Sequence, residues 1–487
     1  MLSDHREPHP SVVFVSAELT PLATSGGLGD VSRALPRALA MLGHRVSVVL
    51  PLYRAVRQRG VKLETAGEIE LPGSGRFRVH QAPGVLAPAS LYLVEHDGYF
   101  DRPGLYGEGG RDYGDNLERF GFFCRAALET IAALGLPAAV IHANDWQSGL
   151  VPALLNTTYA AHRGLRESTS VFTIHNLAYQ GRFAADRLPA TGLPGSTFHS
   201  NGVEYYGGIN LMKAGIVYAD VVTTVSPRYA EEIRTPEFGE GLDGLLRARG
   251  AALVGILNGI DEQAWNPATD RHLPARYGSE ALGGKGVCKQ ALLAETGLPI
   301  SPDMPLVGMV TRLSSQKGVD IVLGVIHEVL DCGVALVLLG SGDPGLEEWA
   351  RDVARRRADR VATRIGFDEA LAHRIEAGTD MFLMPSRYEP SGLNQMYSLR
   401  YGTVPVVRAT GGLDDTVRDP EEDRVGANGF KFRRPWGTDL VSALARAVAA
   451  YHDGTTWHRL MRNGMAEDFS WRRSARRYGD LYRQLKA

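Results

Sequence analysis

A repeated alternation constrains the fold of this chain more than any single residue does. Short apolar, β-branched runs (SVVFVSA, RVSVVLP, SLYLVEH, AAVIHAN, SVFTIHN and VVTTVSP, then PLVGMVT, VALVLLG, DMFLMPS and VPVVRAT) alternate with longer stretches rich in Ala, Leu and Arg. A strand that is apolar on both faces has to be covered on both, and crossover helices cover parallel strands in that way. The pattern therefore predicts an α/β protein built on doubly wound parallel sheets. At 487 residues the chain exceeds one ordinary core, so two domains are predicted. Turn-formers cluster in NGIDEQAWNPATDRHLPA, which divides a first domain, 1–262, from a second, 263–465. The stretch DFSWRRSARRYGDLYRQLKA ends the chain as an amphipathic helix within 466–487, expected to pack across the two domains.

Charge narrows the choice of partner. Lys and Arg number 53 against 55 Asp and Glu, so no cationic surface is predicted for nucleic acid or an anionic membrane. No apolar run approaches the roughly 18 residues of a membrane span. The opening MLSDHREPHP has no apolar segment of the secretory kind, and the expectation is a cytoplasmic protein. Cys124, Cys288 and Cys332 are widely spaced and odd in number, which predicts neither a disulfide framework nor a zinc site.

Open α/β sheets bind ligands beyond the carboxyl ends of their strands, so the turns after the strands carry the functional candidates. TSGGLGD, with Gly26, Gly27 and Asp30, joins a strand to a helix. Its glycines suit either a tight structural turn or close approach of an anion to helix amides. The pattern is GGxG and not GxGxxG, so it does not support a dinucleotide fingerprint. Asp30 suits a helix N-terminus or a sugar hydroxyl. TGGLDDTV at 410–417 echoes TSGGLGDV at 24–31. TRLSSQKG places Arg312 and Lys317 where a fork and a point charge can converge on a diphosphate; an ordinary exposed pair is the rival reading. SRYEPSGLNQ sets Glu389 after a strand, with Pro390 and Ser391 shaping the turn and Gly392, Leu393 and Asn394 opening the next helix. His175 of HNLAYQG is either a donor to a ligand oxygen or a core-edge histidine, and Asp145 of HANDWQ either a functional carboxylate or a helix cap. No cluster has metal-ligand spacing and GxSxG is absent, so neither a metal nor a serine nucleophile is expected.

Together these stretches resemble the glycogen and starch synthases of glycosyltransferase family 5, retaining glucosyltransferases that use a nucleotide-diphosphate glucose. SAELTPLATSGGLGDV, DRPGLY, HANDWQ, TIHNLAYQG, LMKAGIVYAD, LNGIDEQAWNP, TRLSSQKGVD, GSGDP, SRYEPSGLNQMYSLRYGTVPVVRATGGLDDTV and DFSW carry the resemblance over nearly the whole chain. It implies a GT-B architecture: two facing Rossmann-like domains, a cleft between them, and a final helix returning to the first domain. It implies transfer of glucose from ADP-glucose, or another nucleotide-glucose, to the nonreducing end of an α-1,4-glucan, without a cofactor. By motif, Arg312 and Lys317 would hold the diphosphate and Glu389 would lie beside the glucose, assisted by the amides of Ser391 to Asn394. His175 falls on the family's active-site histidine, Asp30 and Asp145 on positions of the catalytic cleft, and Asn258 near the donor sugar. Gly342 and Asp343, with Gly366 and Phe367, would border the nucleotide, and Tyr106 would lie on the base side. The family's implied step is a front-face displacement in which the leaving phosphate deprotonates the acceptor.

Four positions in three motifs depart from the family pattern. Thr24 stands where the family's KTGGL has lysine, Asn144 where HAHDW has histidine, and Ser391 and Asn394 replace the Cys and Thr of EPCGLTQ. Loss of a charged contact costs about 1.5–3 kcal/mol, so Arg312 and Lys317 are expected to carry the diphosphate without a third cation. Three further readings stay open on the sequence: a UDP-glucose donor, a weakly catalytic glucan-binding protein on the same scaffold, and a Rossmann oxidoreductase. The last lacks its fingerprint.

Overall fold

The computed structural model describes residues 9–486. The opening residues that carry the reading of a missing leader, 1–8, lie outside it, as does residue 487. The chain divides into two compact bodies. One comprises the residues up to Val225, Ala230–Leu257 and the chain from Trp471; the other comprises Ser226–Tyr229 and Asn258–Ser470. The sequence placed its breaks at 262/263 and 465/466, whereas the bodies change over at 257/258 and 470/471. Pairing accounts for the shift: Ile260 donates its amide to Phe469 O at 2.9 Å and bridges Ser470, tying this segment into the second body.

The first body is organised on a nine-stranded sheet. Its parallel part runs Ser90–Glu95, Val46–Pro51, Val12–Val15, Val140–Asn144, Thr169–Ile174, Val221–Thr224, Leu253–Gly255. In chain order this is 3-2-1-4-5-6-7, the doubly wound arrangement, with its reversal between Val12–Val15 and Val140–Asn144. All four residues of Val12–Val15 and all five of Val140–Asn144 are buried, as strands covered on both faces must be. An antiparallel hairpin, Glu64–Leu71 with Gly75–Gln81, extends one edge. Its strands alternate polar and apolar residues, so no continuous apolar run marks it in the sequence. The helix Trp471–Gln484 belongs to this body: Tyr478 and Tyr482 are buried, Tyr482 Oη lies 2.8 Å from His142 Nδ1, and Ser474 donates to Leu257 O.

The second body holds a six-stranded, wholly parallel sheet. Its order is Val361–Ile365, Ala335–Gly340, Leu306–Val310, Met381–Met384, Val404–Arg408, Phe430–Phe432, again 3-2-1-4-5-6. The reversal lies between Leu306–Val310 and Met381–Met384. Among the described residues no helix is long and apolar enough to cross a membrane.

Candidate functional site

In each body the connections leave the strands flanking the reversal in opposite directions, and the turns beyond their carboxyl ends carry the candidate residues. In the second body these turns follow Val310 and Met384. The first contains Arg312 and Lys317 and the second contains Glu389. Two contacts draw the turns together. Gly318, at φ 68°, brings its backbone so close to Pro385 that a Cβ would stand 2.1 Å from the Pro385 oxygen. Arg387 donates both guanidinium nitrogens to Asp320 at 2.7 Å, and its amide donates to Gln316 O at 2.8 Å. Lys317 Nζ consequently meets Glu389 Oε2 at 2.6 Å, and Ser386 Oγ donates to the same oxygen at 3.0 Å. The pair lines a pocket with Arg312, Gly392, Leu393 and Asn394. Arg312 is exposed, and its closest side-chain partner is Gln316 Oε1 at 3.5 Å. Asn394 anchors the pocket wall by donating to Val310 O at 2.6 Å, while Ser391 is buried in the turn above it.

Other candidates in this body are placed apart from that lining. Asn258 is buried, and its Oδ1 has no hydrogen-bond partner among the described residues. Asp343 caps the helix Pro344–Arg356 by accepting from the amides of Gly345 and Leu346, which accounts for its position after GSG. Gly342 packs against Leu313, and its amide donates to Glu347. Gly366, at φ 134°, donates its amide to Gly340 O, and Phe367 beside it is 90% exposed.

In the first body the turn after Val12–Val15 supplies a residue that the sequence did not single out. Glu18 is 3% exposed and its carboxylate is surrounded by donors. Ser25 N lies 2.7 Å from Oε2 and Gly26 N 3.2 Å from it, while Ser25 Oγ and Tyr106 Oη donate to Oε1 at 2.6 and 2.7 Å. The glycine turn thus already holds an anion, and that anion is the chain's own side chain. Tyr106, assigned to the nucleotide base by resemblance, donates its hydroxyl to Glu18 and sets its ring against Phe120 and Trp146. A carboxylate seven residues before a glycine turn leaves no periodic signal; the cue was its place in the apolar run FVSAEL. Thr24 is exposed, with its hydroxyl 3.3 Å from both Thr20 Oγ1 and Gly26 O. Gly26 and Gly27 present open space where a Cβ would stand, and Asp30 lies in the first turn of the helix Gly27–Met41.

Across the reversal, Asp145 follows the strand Val140–Asn144 at φ 56°. A non-glycine residue in the left-handed region is strained, and such strain concentrates at functional sites. Asp145 makes no side-chain cap. It accepts instead from the amide of His175 at 2.8 Å and interacts with the amide of Asn176. Burial pushes its carboxyl up to about 7 against the pull of those amides, with the Glu18 charge adding to the rise. Burial pushes the His175 imidazole down to about 3, so it is neutral at physiological pH, and its Nε2 lies 3.1 Å from Asn144 Oδ1. This cluster therefore offers Asp145, a neutral His175 and a donor-saturated Glu18 within one body. Among the described residues no group of three or more His, Cys, Asp or Glu side chains could hold a metal ion.

Known proteins resemble this chain in sequence and in fold. Residues 11–248 match the family model described as starch synthase catalytic domain, and residues 295–454 match glycosyl transferases group 1. A glycogen synthase of Anaeromyxobacter sp. (strain Fw109-5) is 53% identical over 98% of this chain and 99% of its own. One from Syntrophotalea carbinolica is 46% identical over 97% and 98%. Among solved structures, the catalytic domain of starch synthase IV from Arabidopsis thaliana, bound to ADP and acarbose, superposes with a TM-score of 0.87. It is 36% identical over 98% of this chain and 99% of that one. Sucrose-phosphate synthase from Thermosynechococcus elongatus, at 21% identity, shares the fold with a TM-score of 0.59.

Proposed function

The chain belongs to the glycogen synthase family, with the GT-B fold, and on that premise we propose that it transfers glucose, with retention, from ADP-glucose to the nonreducing end of an α-1,4-glucan. The observation that carries this reading is the pocket of the second body, where Lys317, Glu389 and Arg312 meet at the sheet's reversal. Breaking the bond between glucose and diphosphate leaves positive character on the sugar carbon and negative charge on the leaving group. Arg312 and Lys317 are suited to the second charge, and Glu389 to the sugar beside it. Lys317 is already held by Glu389 and Ser386 lies on the same carboxylate, so the charges are positioned before the donor arrives. Preorganised charge of this kind lowers a barrier without reorganisation during the reaction.

Asn258 Oδ1, buried without a partner among the described residues, is suited to a hydroxyl of the donor sugar. In the first body, Asp145 and His175 supply hydrogen-bonding groups for sugar hydroxyls, and no protein nucleophile enters the scheme. Cytoplasmic residence is part of the proposal, in keeping with Cys124, Cys288 and Cys332 standing as free thiols. The direct test is to offer labelled ADP-glucose and UDP-glucose side by side with glycogen. Incorporation from ADP-glucose into chains cleavable by an α-1,4-specific amylase supports the reading. Faster incorporation from UDP-glucose corrects the base, and glycogen binding without incorporation would replace transfer by binding.

A further inference from the structure

The proton on the His175 ring has one place to be. Asn144 is 1% exposed, and its side-chain nitrogen donates to Val15 O at 3.3 Å and to His142 O at 3.2 Å. Those carbonyls only accept, which fixes the amide with its nitrogen toward them and its oxygen turned away. That oxygen faces His175 Nε2 at 3.1 Å. An amide oxygen cannot donate, so Nε2 is the nitrogen that carries hydrogen. The ring is neutral because burial opposes its charge, and a neutral imidazole with hydrogen on Nε2 bears a lone pair on Nδ1.

We propose that Asn144 is a positioning residue that fixes His175 as the Nε2–H tautomer, so that Nδ1 presents an acceptor and any ligand group meeting it is a hydroxyl donor. A phosphate oxygen at Nδ1 would set lone pair against lone pair, so the atom selects for sugar and against the diphosphate. A histidine at position 144, as in the motif this chain resembles, both donates and accepts and leaves the tautomer unspecified. The titratable neighbours are His142, whose protonation a charged His175 would oppose, and Asp145, which accepts from the His175 amide. Only the selection for sugar rests on the reading of His175 as a sugar-side residue; the tautomer rests on the chain's own hydrogen bonds.

The test is a long-range proton–nitrogen spectrum of the full chain labelled in its histidine rings, with His175 assigned by loss of its signal in His175→Gln. The expected result is a bare Nδ1 and a protonated Nε2 that do not titrate between pH 6 and 8.5. Asn144→Asp sets a carboxylate against Nε2 and is expected to bring the imidazolium signature, and a new limb in the pH profile of kcat, into that range. Should that variant not fold, Asn144→His is expected to move the average toward Nδ1–H with little change in melting temperature. A wild-type ring protonated on Nδ1 overturns the assignment, as does a folded variant that keeps the wild-type spectrum. Binding of monodeoxyfluoro ADP-glucose analogues tests the selection, because fluorine cannot donate. A loss of at least tenfold at one hydroxyl position that disappears in His175→Gln supports it, and a series whose pattern is the same in both proteins overturns it while leaving the tautomer intact.

Discussion

Gly26 and Gly27 in the first body, and Gly411 and Gly412 in the second, each lead from a strand into a helix, yet they are glycines for different reasons. In the first pair a Cβ would meet nothing within 4 Å, and the turn's amides from Ser25 and Gly26 lie on the carboxylate of Glu18. In the second pair a Cβ would stand 2.0 Å from Glu389 O at Gly411 and 1.8 Å from Ser391 O at Gly412. There the amide of Gly412 donates to Glu389 O at 3.1 Å. The first pair leaves a surface open to a ligand; the second clamps the loop that carries Glu389. One dipeptide serves two ends, and what decides is the backbone packed against it.

That difference can be broken experimentally. The largest effect is expected from Gly412→Ala, whose methyl cannot coexist with the Ser391 carbonyl. A thermal melt should show a loss of more than about 4 kcal/mol or no cooperative transition, the mark of severe core disruption. A near-native melt would mean that the Glu389 loop is not held by this contact.

Next comes Asp145→Asn, which tests the first body's strained carboxyl. The folded pKa of Asp145 is raised to about 7, so its protonated form favours the fold. Its stabilising contribution is complete below about pH 4, declines as pH rises through 7, and is absent above. The variant, read by melts from pH 4 to 8, should flatten that slope by on the order of 2–4 kcal/mol. An unchanged slope would place the buried charge elsewhere.

Glu18→Gln removes the charge from an acceptor of four hydrogen bonds. A loss of about 1.5–3 kcal/mol is expected by denaturant titration, in line with hydrogen bonds to a charged group. The smallest effect sharpens the contrast most. Gly27→Ala should raise stability by about 0.4–1 kcal/mol, since its backbone conformation suits alanine and space is open. It should at the same time weaken nucleotide-sugar binding; a tighter fold with unchanged binding would deny the open face a ligand.

The architecture was legible because buried parallel strands demand unbroken apolar runs, and SVVFV, AAVIH, LVGMV and DMFLM all became central strands. Short or amphipathic edge strands such as Leu253–Gly255 and Glu64–Leu71 are not legible, since neither length nor apolarity marks them. At the site, Arg312, Lys317 and Glu389 were legible as polar residues following strands, and the structure gathers them in one pocket. Glu18 and Asn144 were not legible as site builders, because their roles depend on which donors and acceptors the fold brings within reach. Asp343, read from its place after GSG, has a carboxylate that caps a helix.

The measurement that bears most directly on the central claim is a calorimetric titration of ADP into the wild-type chain and into Arg312→Gln. Arg312 is exposed, and its side-chain hydrogen bond among the described residues is a 3.5 Å contact with Gln316, so the variant should melt like the wild type. Loss of its charged contact to the diphosphate should weaken ADP binding at least tenfold, in keeping with about 1.5–3 kcal/mol for such a bond. Equal affinity in the two proteins would contradict a diphosphate site at this pocket.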